Sequence, residues 1–219
     1  MRKIVCIFLA VILLMSIASG CTIGTQQNTD KLIALAKTEV KQYKGKNLSS
    51  ILDFRENSIK GPQIVDIKKY SLKIDGLVGK PLGLTYSQVL KNTKYTKVVT
   101  LDCVEGWKVD ILWEGILLKD LFKNADVKSN ANTVIFHSVD GYTTSLPLKF
   151  VLDNSIMIAY KMNNVVLPPE RGFPFQLVAE SKLGYKWAKW ILRIELSDNP
   201  NYQGYWEQRG YSNEADVNN

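Results

Sequence analysis

The sequence predicts a mixed α+β protein, rich in short strands and folding as a single domain. Three observations carry this. Apolar and polar residues alternate from Tyr70 to Asp75, the period of a half-buried strand. Further short apolar runs follow, separated by glycine, proline and polar turn residues, while helical spacing appears only in brief stretches. The 219 residues are 46% hydrophobic and 22% charged, a balance that excludes disordered and fibrous classes and supplies a sizeable core.

The elements follow in order. Ile33, Ala36, Val40 and Tyr43 recur at spacings of three and four, which predicts a helix from Asp30, its cap, to Tyr43. Residues 44–63 are polar and broken by Gly45 and Gly61-Pro62, so they read as an extended arm, with the compact domain starting near Ile64. Strands are expected at 70–75, 97–101, 133–137, 173–179 and 190–196. In the last, Trp190, Leu192, Ile194 and Leu196 would share a face. Brief helices are expected at 85–91 and 116–123, the second burying Leu117, Leu118, Leu121 and Phe122.

The first twenty residues read differently. Arg2-Lys3, the apolar run from Ile4 to Met15 and the small residues before Cys21 have the layout of a secretory signal. The run is shorter than the ~20 residues that span a bilayer. Ile17-Ala18-Ser19-Gly20-Cys21 resembles the lipobox of bacterial lipoproteins, which implies that Cys21 carries a diacylglycerol and begins the mature chain. The expected organisation is therefore a signal at 1–20, a lipidated tether with helix and arm at 21–63, and the domain at 64–219. That places the protein on the extracytoplasmic face of the cell membrane, held by lipid. Removal of Arg2 and Lys3 lowers the formal charge from +7 to +5.

Three cysteines are too few for a disulfide scaffold. With Cys6 in the signal and Cys21 lipidated, Cys103 is left unpaired, and an unpaired thiol in an exported protein calls for a reason. It lies in Asp102-Cys103-Val104-Glu105-Gly106-Trp107, after a β-rich run. A lone cysteine reads first as a small buried hydrophobe. Asp102 and Glu105 oppose a free thiolate, whereas a bound metal would deprotonate the thiol, so a metal ligand is favoured over a hydrolase nucleophile. The single histidine, His137, reads as structural at a strand end, and one cysteine with one histidine cannot close a tetrahedral zinc site. The cluster from Lys182 to Trp190 is basic and aromatic around Gly184. It reads either as a solvated lead-in to a strand or as an anion site built from lysines and backbone amides. No nucleic-acid role is expected of an exported, lipid-anchored chain. The aromatic segment from Asn201 to Glu207 either packs over the domain or faces a partner.

From about Asp53 to Gly204 the chain resembles the sulfite oxidase superfamily of molybdopterin-binding domains, in its prokaryotic branch. Six segments match in family order: Phe54-Arg55-Glu56-Asn57, Asp75-Gly76-Leu77-Val78, 102–107, 139–148, Glu170-Arg171-Gly172-Phe173-Pro174, and 184–191. The resemblance implies the β-rich sulfite-oxidase-type fold and a molybdenum–molybdopterin cofactor with Cys103 as the protein's thiolate ligand to molybdenum. Lys186 and Lys189, with the backbone around Gly184 and Tyr185, would hold the pterin phosphate. Arg55, Asn57, Ser138 and Arg171 would add cofactor contacts. Asp140 and Tyr142 would stand near the open metal face, in the catalytic set with Cys103. The implied activity is oxygen-atom transfer on a small substrate. Electrons would pass to a separate partner, because the chain lacks a Cys-x-x-Cys-His haem motif. Gln176 stands where the family commonly has arginine, which counts against sulfite as substrate, and Arg2-Lys3 reads as general secretion rather than twin-arginine export. Both features favour the alternative, a cofactor-free binding lipoprotein on the same fold.

Overall fold

The computed structural model describes residues 28–217; the expected signal at 1–20 and the lipidation site Cys21 lie outside them. Two units are distinguished, residues 1–38 and residues 39–219. In the first, a helix, α1, covers 28–36 and ends on the tight bond from Thr38 N to Leu35 O (2.9 Å). It stops well before Tyr43. The reason is local: Gln42–Tyr43 (β1) and Lys46–Asn47 (β2) form a hairpin whose two loop residues, Lys44 and Gly45, both have positive φ. That is the turn whose twist matches paired strands.

The second unit is β-rich. One sheet has the order β10-β9-β6-β5, with β11 also pairing β9. Its strands are Lys94–Asp102 (β5), Lys108–Leu117 (β6), Met157–Met162 (β9), Val165–Val166 (β10) and Gln176–Val178 (β11). The other sheet has the order β4-β3-β12-β7-β8. It contains Leu72–Gly76 (β3), Leu82–Leu84 (β4), Thr133–Ser138 (β7), Thr143–Pro147 (β8) and Ile191–Ser197 (β12). The β3–β12 pair is parallel and every other pairing is antiparallel. Three short helices connect the strands: Tyr86–Val89 (α2), Leu118–Ala125 (α3) and Leu148–Asp153 (α4).

The predicted strands at 70–75, 97–101 and 133–137 correspond to β3, β5 and β7. The helix expected at 85–91 is α2, closed by a capping box between Thr85 and Gln88. Besides the early end of α1, two expectations are corrected. Ile116 and Leu117 belong to β6, pairing Ile158 and Met157, so the helix begins only at Leu118 and buries Leu118, Leu121, Phe122 and Ala125. In β12 the alternation slips at a bulge between Ile191 and Arg193, so Ile191 is buried and Leu192 is only half-buried. Strand β6 escaped the sequence reading because Ile111, Leu112, Trp113, Ile116 and Leu117 are all buried, which erases the two-residue period.

Candidate active site

Cys103 owes its position to a hairpin. The β5–β6 ladder runs to Asp102 opposite Lys108 and continues one step further, with Cys103 N donating to Trp107 O (2.9 Å). The loop is then only Val104-Glu105-Gly106. Gly106 N donates back to Cys103 O (3.0 Å), and Gly106 takes the left-handed conformation (φ 82°) that this loop type requires. A short, ladder-bound loop holds the sulfur far more rigidly than a free loop would.

Around the sulfur lies a cavity of about 330 Å³, within the size range of cofactor and ligand sites. Cys103 is 8% exposed, and Asn57 Nδ2 donates toward its Sγ at 3.7 Å. Burial pushes the thiol's pKa up and the Glu105 carboxylate adds to this; the Glu105 amide, Arg55 and Asn57 act in the opposite direction. Without a metal the group is thus a neutral thiol, held so chiefly by burial, with the Glu105 carboxylate adding a smaller share.

The β7–β8 hairpin supplies a second wall. Ser138 N donates to Tyr142 O (2.9 Å), and Asp140 Oδ1 accepts from Tyr142 N (3.0 Å), so the loop turns Ser138, Asp140 and Tyr142 onto the cavity. The Tyr142 hydroxyl donates to Tyr185 O. Burial first, and the nearby charges of Glu207 and Asp140 second, hold its pKa well above the ordinary value, so it stays a phenol. Ser138 Oγ is buried and has no hydrogen-bond partner among the described residues.

The loop at 182–190 closes the site and separates its two lysines. Gly184 packs so closely on the Cys103 hairpin that a Cβ there would stand 3.3 Å from Asp102 O and 3.5 Å from Cys103 Cα. Lys189 lines the cavity, with its ammonium 3.1 and 3.2 Å from the two oxygens of Glu56 and over the Trp190 ring. Lys186 does not line it. Its side chain is fully buried, and Nζ donates to Ser145 O (3.1 Å), Glu207 Oε1 (2.5 Å) and Asn213 Oδ1 (3.0 Å), using all three protons. The phosphate role expected of Lys186 therefore meets an ammonium already committed elsewhere.

Arg55 and Arg171 open onto a smaller chamber of about 40 Å³ that shares Asn57, Cys103, Gly184 and Lys189 with the larger one. Arg171 is 5% exposed and ties down the arm: Nε donates to Ile51 O (3.0 Å), and the guanidinium stacks on Phe54. Gln176 lines the same chamber, with Oε1 buried and unpartnered. His137 bonds to Glu195 (2.9 Å) within the second sheet and lines neither chamber. Sequence reasoning missed Glu56 and Glu207 as partners of the two lysines, and Trp206 and Tyr211 as cavity walls. The aromatic run at 201–207 was the signal for Trp206, and Tyr211 lies beyond it.

These residues fit a molybdopterin group. A soft thiol, two buried polar atoms without partners (Ser138 Oγ and Gln176 Oε1) and a wall lysine surround a space of suitable size.

Comparison with known proteins agrees. The family model "oxidoreductase molybdopterin binding domain" matches residues 59–206. The "uncharacterized oxidoreductase YuiH" of Bacillus subtilis is 35% identical over 156 residues, which cover 71% of this chain and 78% of that protein. The protein-methionine-sulfoxide reductase catalytic subunit MsrP of Gluconobacter oxydans is 32% identical over 148 residues, 59% of this chain and 47% of that one. Among solved structures, the sulfane dehydrogenase SoxCD from Paracoccus pantotrophus superposes with a TM-score of 0.61 at 25% identity, over 64% of this chain and 41% of that chain. The chain thus spans less than half of the latter two proteins. With the fold, the Cys103 cavity and a family match over two-thirds of its length in agreement, the chain belongs to the oxidoreductase molybdopterin-binding domain family, and its cofactor is molybdenum–molybdopterin.

Proposed function

We propose that the protein is a membrane-anchored, extracytoplasmic oxidoreductase that transfers an oxygen atom to or from a small substrate, with Cys103 as the protein ligand to molybdenum. The observation that carries this is the placement of Cys103 in the wall of the 330 Å³ cavity that the unpartnered Ser138 hydroxyl also lines. Among the described residues no three His, Cys, Asp or Glu side chains cluster as a metal site, so Cys103 would hold the metal together with the pterin's sulfurs rather than within an all-protein ligand set.

The bound cofactor supplies the two-electron chemistry. The chain's part is to bind, orient and exclude water. Asn57 holds the sulfur's direction. Ser138 Oγ and Gln176 Oε1 offer hydrogen bonds that the protein leaves unmade, and Lys189 with the backbone at Gly184 and Tyr185 faces an anionic group. Asp140 and Tyr142 shape the substrate side, Tyr142 as a fixed phenol whose proton is directed at Tyr185 O. Arg55 and Arg171 line the adjoining chamber, and Arg171 sets the arm that carries Asn57.

Protein made in a molybdenum-replete host should contain molybdenum and pterin in equal amounts. Cys103→Ser should lose the metal and the activity while circular dichroism still shows the native fold; a chain with Cys103 intact that binds neither overturns the reading. In that case the cofactor-free binding lipoprotein, favoured by Gln176 and the general-secretion pattern, takes its place. Anchoring rests on Cys21. No helix among the described residues is long and apolar enough to cross a membrane. Cys21→Ser should release the protein from the membrane fraction and abolish fatty-acid labelling; unchanged fractionation counts against the anchor. Electrons pass to a separate protein partner, and activity with an artificial viologen donor, absent with nicotinamide cofactors alone, tests this.

A further inference from the structure

The C-terminal segment from 201 to 217 runs on past the end of the family match at residue 206 and is strapped across the loop at 182–190. Its fastenings are buried. Lys186 holds Glu207 and Asn213, and Thr144 Oγ1 also donates to Glu207 (2.8 Å). Lys182, 5% exposed, donates to Glu214 O (2.8 Å) and Asp216 (2.5 Å). Leu183 N donates to Ala215 O (2.7 Å), and Gly204 sits where any Cβ would strike Thr143 O at 2.2 Å. The strap therefore has one seat, and that seat puts two of its aromatic side chains, Trp206 and Tyr211, into the wall of the Cys103 cavity.

Those rings continue as a chain of contacts. Tyr211 lies 5.2 Å from both Trp206 and Tyr185, and Tyr205 joins Trp206 (5.3 Å) to Tyr142 (5.9 Å). Tyr211 remains 39% exposed, so this wall reaches solvent. The charged side chains lining the same cavity are Glu105, Asp140 and Lys189, and Lys189 already faces both oxygens of Glu56. With Lys189 paired to Glu56 and committed to the cofactor's anionic group, an entering anionic substrate meets the two remaining charged walls, the carboxylates of Glu105 and Asp140. A neutral or cationic organic group meets aromatic faces, which attract apolar surface and cations.

We infer that the strap is the specificity wall of the reaction site: Trp206 and Tyr211 admit a non-anionic organic group, and the cavity disfavours small inorganic oxyanions. Lys186 and Lys182 act as positioning residues that seat this wall. The inference rests on the reading of this cavity as the reaction site, and its test separates the two.

Holoenzyme, with its molybdenum content measured in the same samples, is titrated with benzyltrimethylammonium, benzyl alcohol, benzoate and sulfate by calorimetry and tryptophan fluorescence. The first two should bind and compete with one another, and benzoate and sulfate should bind at least tenfold more weakly, roughly the scale of an aromatic–cation contact. Tyr211→Ala and Trp206→Ala should weaken benzyltrimethylammonium roughly tenfold, with molybdenum content unchanged, and Tyr211→Phe should restore it. Because Tyr211 is exposed, its variants carry the test if Trp206→Ala fails to fold. Equal or tighter binding of benzoate or sulfate, or unaltered benzyltrimethylammonium binding in Tyr211→Ala, overturns the inference. Wild-type protein free of molybdenum that still shows the ligand pattern would overturn the oxidoreductase reading and leave the wall standing.

Discussion

Lys186 and Lys189 stand three residues apart in one loop, and each meets a glutamate, yet they belong to different regions of the molecule. Lys186 closes the short 3-10 turn Gly184–Lys186 and is sealed under the strap against Glu207. Lys189 follows after the chain leaves helical conformation at Trp187 (φ −90°, ψ 73°), and it reaches Glu56 on the arm with the pair partly open to water. Had the turn continued, residues three apart would have eclipsed and shared one environment. The break instead gives the loop two jobs, fastening the strap and lining the site. Burial pushes the Lys186 ammonium below its ordinary pKa although Glu207 opposes this, and burial likewise lowers Lys189 against Glu56.

The contrast is open to attack by substitution. The largest effect is expected from Lys186→Met, which leaves Glu207 charged and buried without its cation; denaturant unfolding should show a loss of about 3–5 kcal/mol. Pairing it with Glu207→Leu should recover most of that loss, because a buried ion pair can be replaced by apolar groups at little cost. A double variant as unstable as the single would mean that the pair does more than hold the strap.

Gly204→Ala strikes the same region from the backbone side. The methyl group would meet Thr143 O at 2.2 Å, so the strap must shift, and unfolding should show a loss of about 1–3 kcal/mol, the usual scale of overpacking. Tyr211 fluorescence should become more solvent-exposed in this variant.

Acid should act on the arm. At Glu56, burial alone would raise the carboxyl, but Lys189 and the bonds from Ser58 outweigh it and hold the group below the ordinary 4.5. Glu39 behaves alike, with burial opposed by Lys41, Ser50, Asn163 and the Ile51 amide. A carboxyl with a lower pKa folded than unfolded contributes stability that is complete above the unfolded value and lost as pH falls through the folded one. Melting temperatures should therefore decline on acidification below about pH 4.5, and Glu56→Gln should flatten part of that decline. An identical acid profile in the variant would remove Glu56 from the account.

The smallest stability effect is expected from Lys189→Met. Its pair with Glu56 is partly solvated, so the change should cost about 1 kcal/mol or less. Cofactor content should nevertheless fall, because Lys189 lines both chambers. Loss of stability with full cofactor retention would reverse the roles assigned to the two lysines.

Much of this was legible beforehand. The position of Cys103 after a β-rich run, the alternation of β3 and the brief helix α2 all follow from local periodicity and turn chemistry. Strand β6 was not legible, because burial on both faces removes its pattern, nor was the end of α1, because the hairpin turn at Lys44-Gly45 overrides the helical spacing. Trp206 was visible as an aromatic residue without a place. Nothing in the sequence paired Glu56 or Glu207 with a lysine.

By itself the sequence determined the inventory: the cysteine Cys103 in a strand-ending loop, a lysine pair around Gly184, and segments in an order shared with one family. Only the tertiary structure decided which lysine serves the site. Glu207 lies 21 residues from Lys186 and Glu56 lies 133 residues from Lys189 along the chain. An ion pair is set by distance through space and by how much water surrounds it, and chain spacing encodes neither.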